Sequence, residues 1–235
     1  QKMNYRLTLF QFKIKLKKII FTFILLFSNL FAEEKIAIAT KIIGNAMYVR
    51  GDQSESIIKK GQIFETGDII TTKKGGFVAL LFIDDKTALK IKEKSKLTIT
   101  GKRSARSIAK EIKLEGGVIR AIVNKQKQAG FIIRTSVSVA SVKGTDFWLI
   151  SNKLNDSLIG LEGKVEFSNI ISGESLEIIS GKTGISSSSG DLQSFKTDPK
   201  NIPDDPSDNA KGEQKLEIQF EDASGNKKTL VIKYK

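Results

Sequence analysis

The chain has 235 residues, of which 40% are hydrophobic, enough to build the core of one domain with appendages. It contains no cysteine and no histidine, which excludes disulfides, thiolate zinc sites and Ser-His or Cys-His nucleophile pairs. Its 39 Lys and Arg against 26 Asp and Glu give a formal net charge of +13. Enzymatic chemistry would be possible only through carboxylates, Lys or Tyr, and we expect a non-enzymatic protein with no cofactor and no bound metal.

Residues 1–32 have the features of a secretory signal peptide. A basic segment, Lys13–Lys18, precedes the apolar run Ile19–Phe27, and a small residue, Ala32, lies at the boundary. The apolar run is shorter than the roughly 20 residues that a spanning helix needs. We expect cleavage after Ala32 and a periplasmic or otherwise exported protein. Because Leu30 is not small, an uncleaved segment that anchors the chain in the inner membrane is the alternative.

Removal of this segment changes the charge. Residues 1–32 hold six Lys or Arg and no acidic residue, so the remaining chain has 33 minus 26 charges, or +7. Much of the basicity belongs to the predicted signal. For this reason we expect no nucleic-acid partner.

Residues 33–185 are predicted to form one all-β domain. Short runs of apolar and β-branched residues, such as Ile36–Thr40, Phe77–Ile83 and Val118–Val123, alternate with glycines where the backbone must turn. No window of helical period competes with them. Since the runs are short, numerous and evenly spaced, we expect a solenoid-like or rolled β arrangement, with a two-sheet β-sandwich as the alternative.

The C-terminal part is predicted to be a linker followed by a β-hairpin. Residues 186–212 are rich in Pro, Ser and Asp, which favours extended, solvated chain. In Gln214–Phe220 and Lys228–Tyr234 apolar and polar residues alternate, which predicts a hairpin over residues 213–235. An isolated hairpin is marginally stable in water, so we expect it to dock, on its own domain or on a partner through an open edge.

Four lysines alternate along the chain at Lys90, Lys92, Lys94 and Lys96. In a single strand their ammonium groups would stand on one side. Such a face could bind an anionic glycan, a lipid headgroup or an acidic partner. Two other interpretations stay open: a solvated strand face that discourages edge pairing, and a turn at Glu93–Ser95 that breaks the face.

Trp148 is the second candidate binding residue. Adjacent strand residues face opposite ways, so one of Phe147 and Trp148 points outward. We predict that Trp148 points outward, where it could stack on a sugar, with a place in the core as the alternative.

Three polar pairs are interpreted as turns rather than sites. Paired carboxylates at Asp84–Asp85, or Asp68 after Gly67, could bind a cation, but neither lies in a D-x-D-x-D-G loop. Gly144–Thr145 lacks the Lys-Ser/Thr and the helix of a phosphate loop. We expect Gly144 to permit a tight crossover and Thr145 to bond a nearby backbone group.

The order of the β motifs resembles the FecR-type periplasmic domain. The motifs are Gly61-x-x-Phe64-x-x-Gly67-Asp68-x-Ile70-x-Thr72, Phe77–Phe82, Leu114–Val123, Phe131–Thr135, Val139–Phe147 and Leu161–Val165. The resemblance implies structural roles for Gly61, Gly67, Asp68, Thr72, Gly117, Gly144, Thr145, Phe147 and Gly163. Where this family usually has Asp-Gly, the chain has Asp84–Asp85, which leaves Asp85 without glycine's freedom at positive φ.

The resemblance implies a binding and signal-relay module. It also implies that the domain is not an enzyme, since its known relatives do no chemistry. In the best-known members a cytoplasmic anti-sigma segment and a transmembrane helix precede it. Here about 18 residues precede the apolar run, so the resemblance implies the periplasmic half alone, without direct control of a sigma factor. The expected partner is a protein of the cell envelope.

Overall fold

The computed structural model describes residues 34–104, 107–125, 130–207, 214–221 and 227–234, the last two ranges as backbone. The predicted signal peptide lies outside these ranges, in which no helix is long and apolar enough to cross a membrane. The strands of the main sheet are β1 (Lys35–Ile43), β2 (Ala46–Val49), β3 (Ser56–Ile57), β4 (Ile63–Glu65), β5 (Ile69–Thr72), β6 (Phe77–Phe82), β7 (Ala88–Ile91), β8 (Lys96–Arg103), β9 (Ile108–Ile122), β10 (Phe131–Arg134), β11 (Ser138–Val142), β12 (Asp146–Ser151), β13 (Asn155–Glu162), β14 (Lys164–Asn169), β15 (Ser175–Ile179), β16 (Lys182–Ser187) and β17 (Leu192–Lys196).

These strands form two facing layers of one open sheet. The first layer has the order β4-β1-β6-β7-β9-β12-β13-β16-β17. The second has the order β3-β2-β5-β8-β9-β10-β11-β14-β15. The layers pack through apolar side chains, as in the edge-to-face contact of Phe82 in β6 with Phe131 in β10, whose ring centroids are 6.0 Å apart. The predicted all-β fold of many short strands is confirmed, and β9 joins the two layers into a roll.

Strand β9 belongs to both layers because it turns at a pair of glycines. Its first half pairs with β8 and β10, and its second half, from Gly117, pairs with β7 and β12. Gly117 has φ +117°, and a Cβ there would lie 2.2 Å from Oγ of Ser95. That hydroxyl accepts a hydrogen bond from the backbone N–H of Val118 at 3.0 Å. The crossing therefore needs a residue without a side chain at position 117.

The alternating sequence explains which face of each strand is buried. Leu89 and Ile91 of β7 have no exposed surface, and the same is true of Ile119 and Ala121 of β9. The residues between them in sequence point to the opposite face of the first layer, away from the core. This opposite surface of the first layer is called the outer face below.

The predicted linker is wrong over most of its length. Residues 186–207 are part of the domain: β16 runs to Ser187, and β17 pairs with it at the edge of the first layer. Hydroxyl and carboxylate hydrogen bonds among Ser187, Ser189 and Asp191 close the turn between the two strands. A serine-rich composition therefore marks a tight turn here, not solvated chain. The end of the predicted linker, residues 208–212, lies outside the described ranges.

The predicted C-terminal hairpin is confirmed. Strands β18 (Gln214–Glu221) and β19 (Lys227–Tyr234) pair in antiparallel register, with Gln214 opposite Tyr234 and Glu221 opposite Lys227. They form a two-stranded sheet of their own.

Candidate functional site

Residues 197–207, here called the strap, cross the outer face of the first layer. The strap begins beside β17, where the N–H of Thr197 donates to the carbonyl of Gly181 at 2.9 Å. It passes through a 3-10 turn, Pro199–Asn201, that is capped by Asp198. It then forms hydrogen bonds with Lys90 in β7 and Arg120 in β9, and finally with Lys41 in β1. One segment thus spans the layer from the β17 edge to β1.

Asp205 is the main anchor of the strap. Its Oδ2 accepts hydrogen bonds from Nζ of Lys90 at 2.6 Å and from Nη1 of Arg120 at 2.8 Å. Its Oδ1 accepts from the backbone N–H of Ser207 at 2.9 Å and also from the Ser207 hydroxyl. Arg120 in turn holds Asp146 through two parallel bonds of 2.9 and 2.8 Å. The Asp205 side chain is only 4% exposed, so these charges interact with little solvent between them.

Two further lysines hold backbone carbonyls of the strap. Nζ of Lys92 donates to the carbonyl of Asp204 at 2.9 Å, and Nζ of Lys41 donates to those of Pro206 and Ser207 at 3.3 and 3.2 Å. After Thr197, no described backbone group of the strap pairs with the backbone of a strand. The strap is therefore fastened by cationic side chains, not by a β ladder.

Trp148 lies under these cations on the outer face. Its sequence neighbours Phe147 and Leu149 belong to the core, so the indole points to the other side of β12. Nζ of Lys92 lies 5.8 Å from its ring centroid and Cζ of Arg120 lies 5.7 Å from it. The outward direction agrees with the sequence analysis, but the exposed stacking platform is wrong, because the side chain is 0% exposed. The cations that hold the strap cover it. Its indole N–H has no acceptor among the described residues.

The charges around Asp205 shift two pKa values in opposite directions. Burial of the Asp205 carboxyl would raise its pKa, but hydrogen bonds from Lys90 and Ser207 and the charge of Lys90 lower it from 3.8 to about 2. The hydrogen bond to Asp146 raises the pKa of the Arg120 guanidinium, although burial opposes this. At neutral pH the anchor is therefore fully ionised on both sides.

Acid is expected to release the strap. Because the folded pKa of Asp205 is lowered, its ion pairs contribute fully above about pH 3.8 and are lost as the pH falls towards about 2. Trp148 is the only tryptophan of the chain, so its fluorescence reports on this site. We expect its quenching by acrylamide to stay constant from pH 7 to about 4 and to rise below that. An Asp205→Asn variant removes the titrating group and should lack this transition. A transition of equal size in the variant would contradict the assignment to Asp205.

The predicted single face of four lysines is wrong. Lys90 and Lys92 lie on the outer face, but Lys94 has φ +57° in the turn that follows, and Lys96 begins β8 in the other layer. Nζ of Lys96 pairs there with Glu115 at 2.8 Å. The turn at Glu93–Ser95, left open as an alternative, is what the chain forms.

A threonine holds that turn in place. The Thr72 hydroxyl donates to the carbonyl of Lys92 at 2.5 Å and accepts from the N–H of Ser95 at 3.0 Å. These bonds fix the chain reversal between β7 and β8. The period-two spacing of the lysines therefore runs through a turn.

Both predicted acidic turns are turns in the structure. Asp68 is fully buried and binds Arg50 through two bonds of 2.8 and 2.7 Å, after the turn at Gly67 with φ +91°. Asp84 and Asp85 both accept hydrogen bonds from Nζ of Lys110, at 2.8 and 3.0 Å. In the described ranges, no group of three or more acidic residues could hold a metal ion.

The residue with a positive φ in the Asp84–Asp85 turn is not the one expected. The positive φ falls on Lys86, at +59°, and not on Asp85. The two carboxylates converge on Lys110, which has a fully buried side chain, because neither aspartate is in a strand.

Two of the glycine motifs meet in space. Gly144 has φ +73° and Gly163 has φ +74°, and a Cβ at Gly163 would lie 2.7 Å from the carbonyl oxygen of Gly144. The Thr145 hydroxyl has no hydrogen-bond partner among the described residues, contrary to expectation. Of the remaining motif residues, Gly61 has φ +84° and donates to the carbonyl of Ala39, and Phe147 is in the core.

Arg120 and Asp205 are site residues that the sequence analysis did not single out. They are 85 positions apart, and Asp205 lies in a segment whose composition suggested a solvated linker. Three prolines and a pair of aspartates are equally compatible with a linker and with an ion-paired strap. The signal that the sequence offers is a charged residue, Arg120, at an alternate position of an apolar strand.

Comparison with known proteins agrees with the motif order. The family model described as "FecR protein" matches residues 68–166. No curated protein sequence matches the chain.

Two crystal structures from Parabacteroides distasonis ATCC 8503, each described as a "putative anti-sigma factor", are similar. The first, at 1.65 Å resolution, is 15% identical and covers 67% of this chain and 70% of its own, with a TM-score of 0.49. The second, at 2.50 Å, is 17% identical and covers 55% of each chain, with a TM-score of 0.36. Lys90, Lys92, Arg120 and Trp148 lie inside the matched range, whereas Lys41 and the strap lie outside it. Residues 68–166 thus match a FecR domain, as the motif order implies.

Proposed function

We propose that this protein is a non-enzymatic protein-interaction or signal-relay module of the cell envelope, exported to the periplasm. The match to the FecR family carries the proposal, because members of that family are regulators that relay signals. The N-terminal basic and apolar segments support export. The absence of histidine and cysteine from the sequence leaves few groups for acid-base or nucleophilic chemistry.

The geometry favours a protein partner over an anionic polymer. Polymer binding would need a continuous basic face, and the four lysines do not form one. Lys90 and Lys92 instead hold a peptide segment, the strap, through a carboxylate and a carbonyl. A surface that binds peptide groups of its own chain has the chemistry to bind those of another protein.

Photo-crosslinking in the native host tests this function. A photoreactive amino acid at position 219 of β18, in the full chain, should give discrete adducts with an envelope protein. The same amino acid at position 113, an exposed site of β9 outside the strap, is the matched control and should give fewer adducts. Recovery with cell wall or membrane only, with no protein adduct from either position, would contradict the proposal. Fractionation of the same cells tests the predicted location.

A further inference from the structure

We propose that Lys90, Lys92, Arg120 and Trp148 form a binding site for an acidic peptide of a partner protein, a site that the strap occupies in this structure. The proposal rests on the function proposed above and names the chemistry of the partner. It requires a peptide with a carboxylate where Asp205 lies and accessible carbonyl groups on either side of it.

The contacts of the strap define this specificity. The Asp205 carboxylate is held between an ammonium and a guanidinium group, at 2.6 and 2.8 Å. The carbonyl before it, of Asp204, accepts from Lys92, and the carbonyl after it, of Pro206, accepts from Lys41. The cations therefore bind one side-chain carboxylate together with the main-chain carbonyls on either side of it. By contrast, the Asp204 side chain has no hydrogen bond or ion pair with any described residue, and the residue is exposed.

The strap is attached in a way that allows exchange. Strand β17 is held by five register pairs with β16, whereas the strap after Thr197 has no backbone pairing with a strand. Its proline residues cannot donate a backbone hydrogen bond. Segments with few buried apolar contacts and few backbone bonds open at low free-energy cost. A competing peptide therefore needs to replace side-chain contacts with the cations and does not have to displace a β ladder.

Trp148 offers an interaction that the strap does not use. Its indole N–H is buried and has no acceptor among the described residues. A buried donor without a partner is costly, and an incoming peptide carbonyl could satisfy it. Tryptophan and arginine are also the residues that most often dominate binding energy at protein interfaces. The site thus combines an anchor for a carboxylate with an unused donor.

The strap competes with such a peptide from within the chain. Attached by a short connection, it has an effective concentration on the order of millimolar at the site. A partner peptide therefore binds weakly while Asp205 is intact. Weakening the strap by Asp205→Asn should reveal the site, and Asp204→Asn is the matched control one residue away.

Fluorescence anisotropy of a labelled peptide with the sequence of residues 198–207 tests the proposal. The full chain is used in non-ionic detergent, as wild type, Asp205→Asn and Asp204→Asn. We expect the Asp205→Asn protein to bind the peptide at least about tenfold more tightly than the other two. A peptide with asparagine in place of Asp205 should bind at least about tenfold more weakly to that protein. Equal binding by all three proteins, or equal binding of both peptides, would overturn the proposal.

A second measurement does not depend on the variant. Titration of the wild type with excess peptide should change the fluorescence of Trp148, and the asparagine peptide should not change it. No change with either peptide would also overturn the site. This proposal can fail while the proposed function holds. Crosslinked adducts from position 219 in cells can form even if the labelled peptide does not bind to the site.

Discussion

Replacement of Lys110 by methionine is expected to lower the free energy of unfolding by about 3–5 kcal/mol. The Lys110 side chain is fully buried, and its ammonium group binds the carboxylates of Asp84 and Asp85 and the carbonyl of Ile108. It also lies 5.4 Å from the ring centroid of Phe82. Methionine keeps much of the apolar stem but leaves two carboxylates without their cation. The cost comes mainly from those carboxylates, which are only 10% and 15% exposed.

Urea unfolding followed by far-UV circular dichroism measures this effect. Lys113→Met is the matched control, because Lys113 lies in the same strand with an exposed side chain, and we expect a change within about 0.5 kcal/mol there. Adding Asp84→Asn and Asp85→Asn to Lys110→Met should restore part of the loss, since it removes the uncompensated charges. If Lys110→Met and Lys113→Met destabilise the protein equally, the buried ion pair does not stabilise the fold as described.

The free energy of unfolding is expected to fall in acid, and by less in the Lys110→Met variant. Burial would raise the pKa of Asp84, but hydrogen bonds from Lys110 and from the N–H of Ile108 lower it. Stability from this group is therefore present at neutral pH and is lost as the pH falls through the lowered pKa. The Lys110→Met protein lacks the main source of that lowering, so its stability should depend less steeply on acid.

Gly117→Ala is expected to cost about 3 kcal/mol or more, from backbone strain of about 1–3 kcal/mol and overpacking of similar size. Its φ of +117° is one that other residues rarely adopt, and the new Cβ would lie 2.2 Å from Oγ and 2.5 Å from Cα of Ser95. Ser95 cannot move away easily, because its hydroxyl binds Val118 and its N–H binds Thr72. The substitution therefore disrupts the point where β9 passes between the layers.

The neighbouring glycine provides the control. A Cβ at Gly116 would have its nearest contact at 3.8 Å, with the carbonyl oxygen of Ser151, and its φ is not positive. Gly116→Ala should therefore change stability by less than about 1 kcal/mol, in either direction. Thermal or urea unfolding of the two variants side by side measures the difference. Equal effects would show that the crossing at position 117 does not need glycine.

The strands could be predicted from sequence because burial alternates along them. The alternation of β7 and β9 places Leu89 and Ile119 in the core and Lys90 and Arg120 on the outer face, as period-two spacing implies. The hairpin could be predicted for the same reason. The order of the glycine motifs resembles the FecR domain, and the glycines have a physical reason to be there. Gly61, Gly67, Gly117, Gly144 and Gly163 all have a positive φ, and at the last three a Cβ would also lie within 3 Å of another group.

The site could be predicted only in part, because non-local contacts decide it. The direction of Trp148 follows from its strand, but its complete burial depends on Lys92 and Arg120 folding over it. Lys90 and Asp205 are 115 positions apart, and no local pattern pairs them. The period-two spacing of the four lysines also continues through the turn at Lys94, so the lysines before and after this turn lie in different layers. Sequence patterns thus located Lys90, Lys92 and Trp148, but neither Arg120 nor the segment that closes over them.

Acrylamide quenching of Trp148 at neutral pH tests most directly that Asp205 closes the strap over this site. The wild type, Asp204→Asn and Asp205→Asn proteins differ by one carboxylate each, and the chain has no second tryptophan. We predict equal, weak quenching in the wild type and Asp204→Asn and stronger quenching in Asp205→Asn, with unchanged far-UV circular dichroism. Equal quenching in all three proteins would contradict the account, because Trp148 would then be covered independently of the Asp205 anchor.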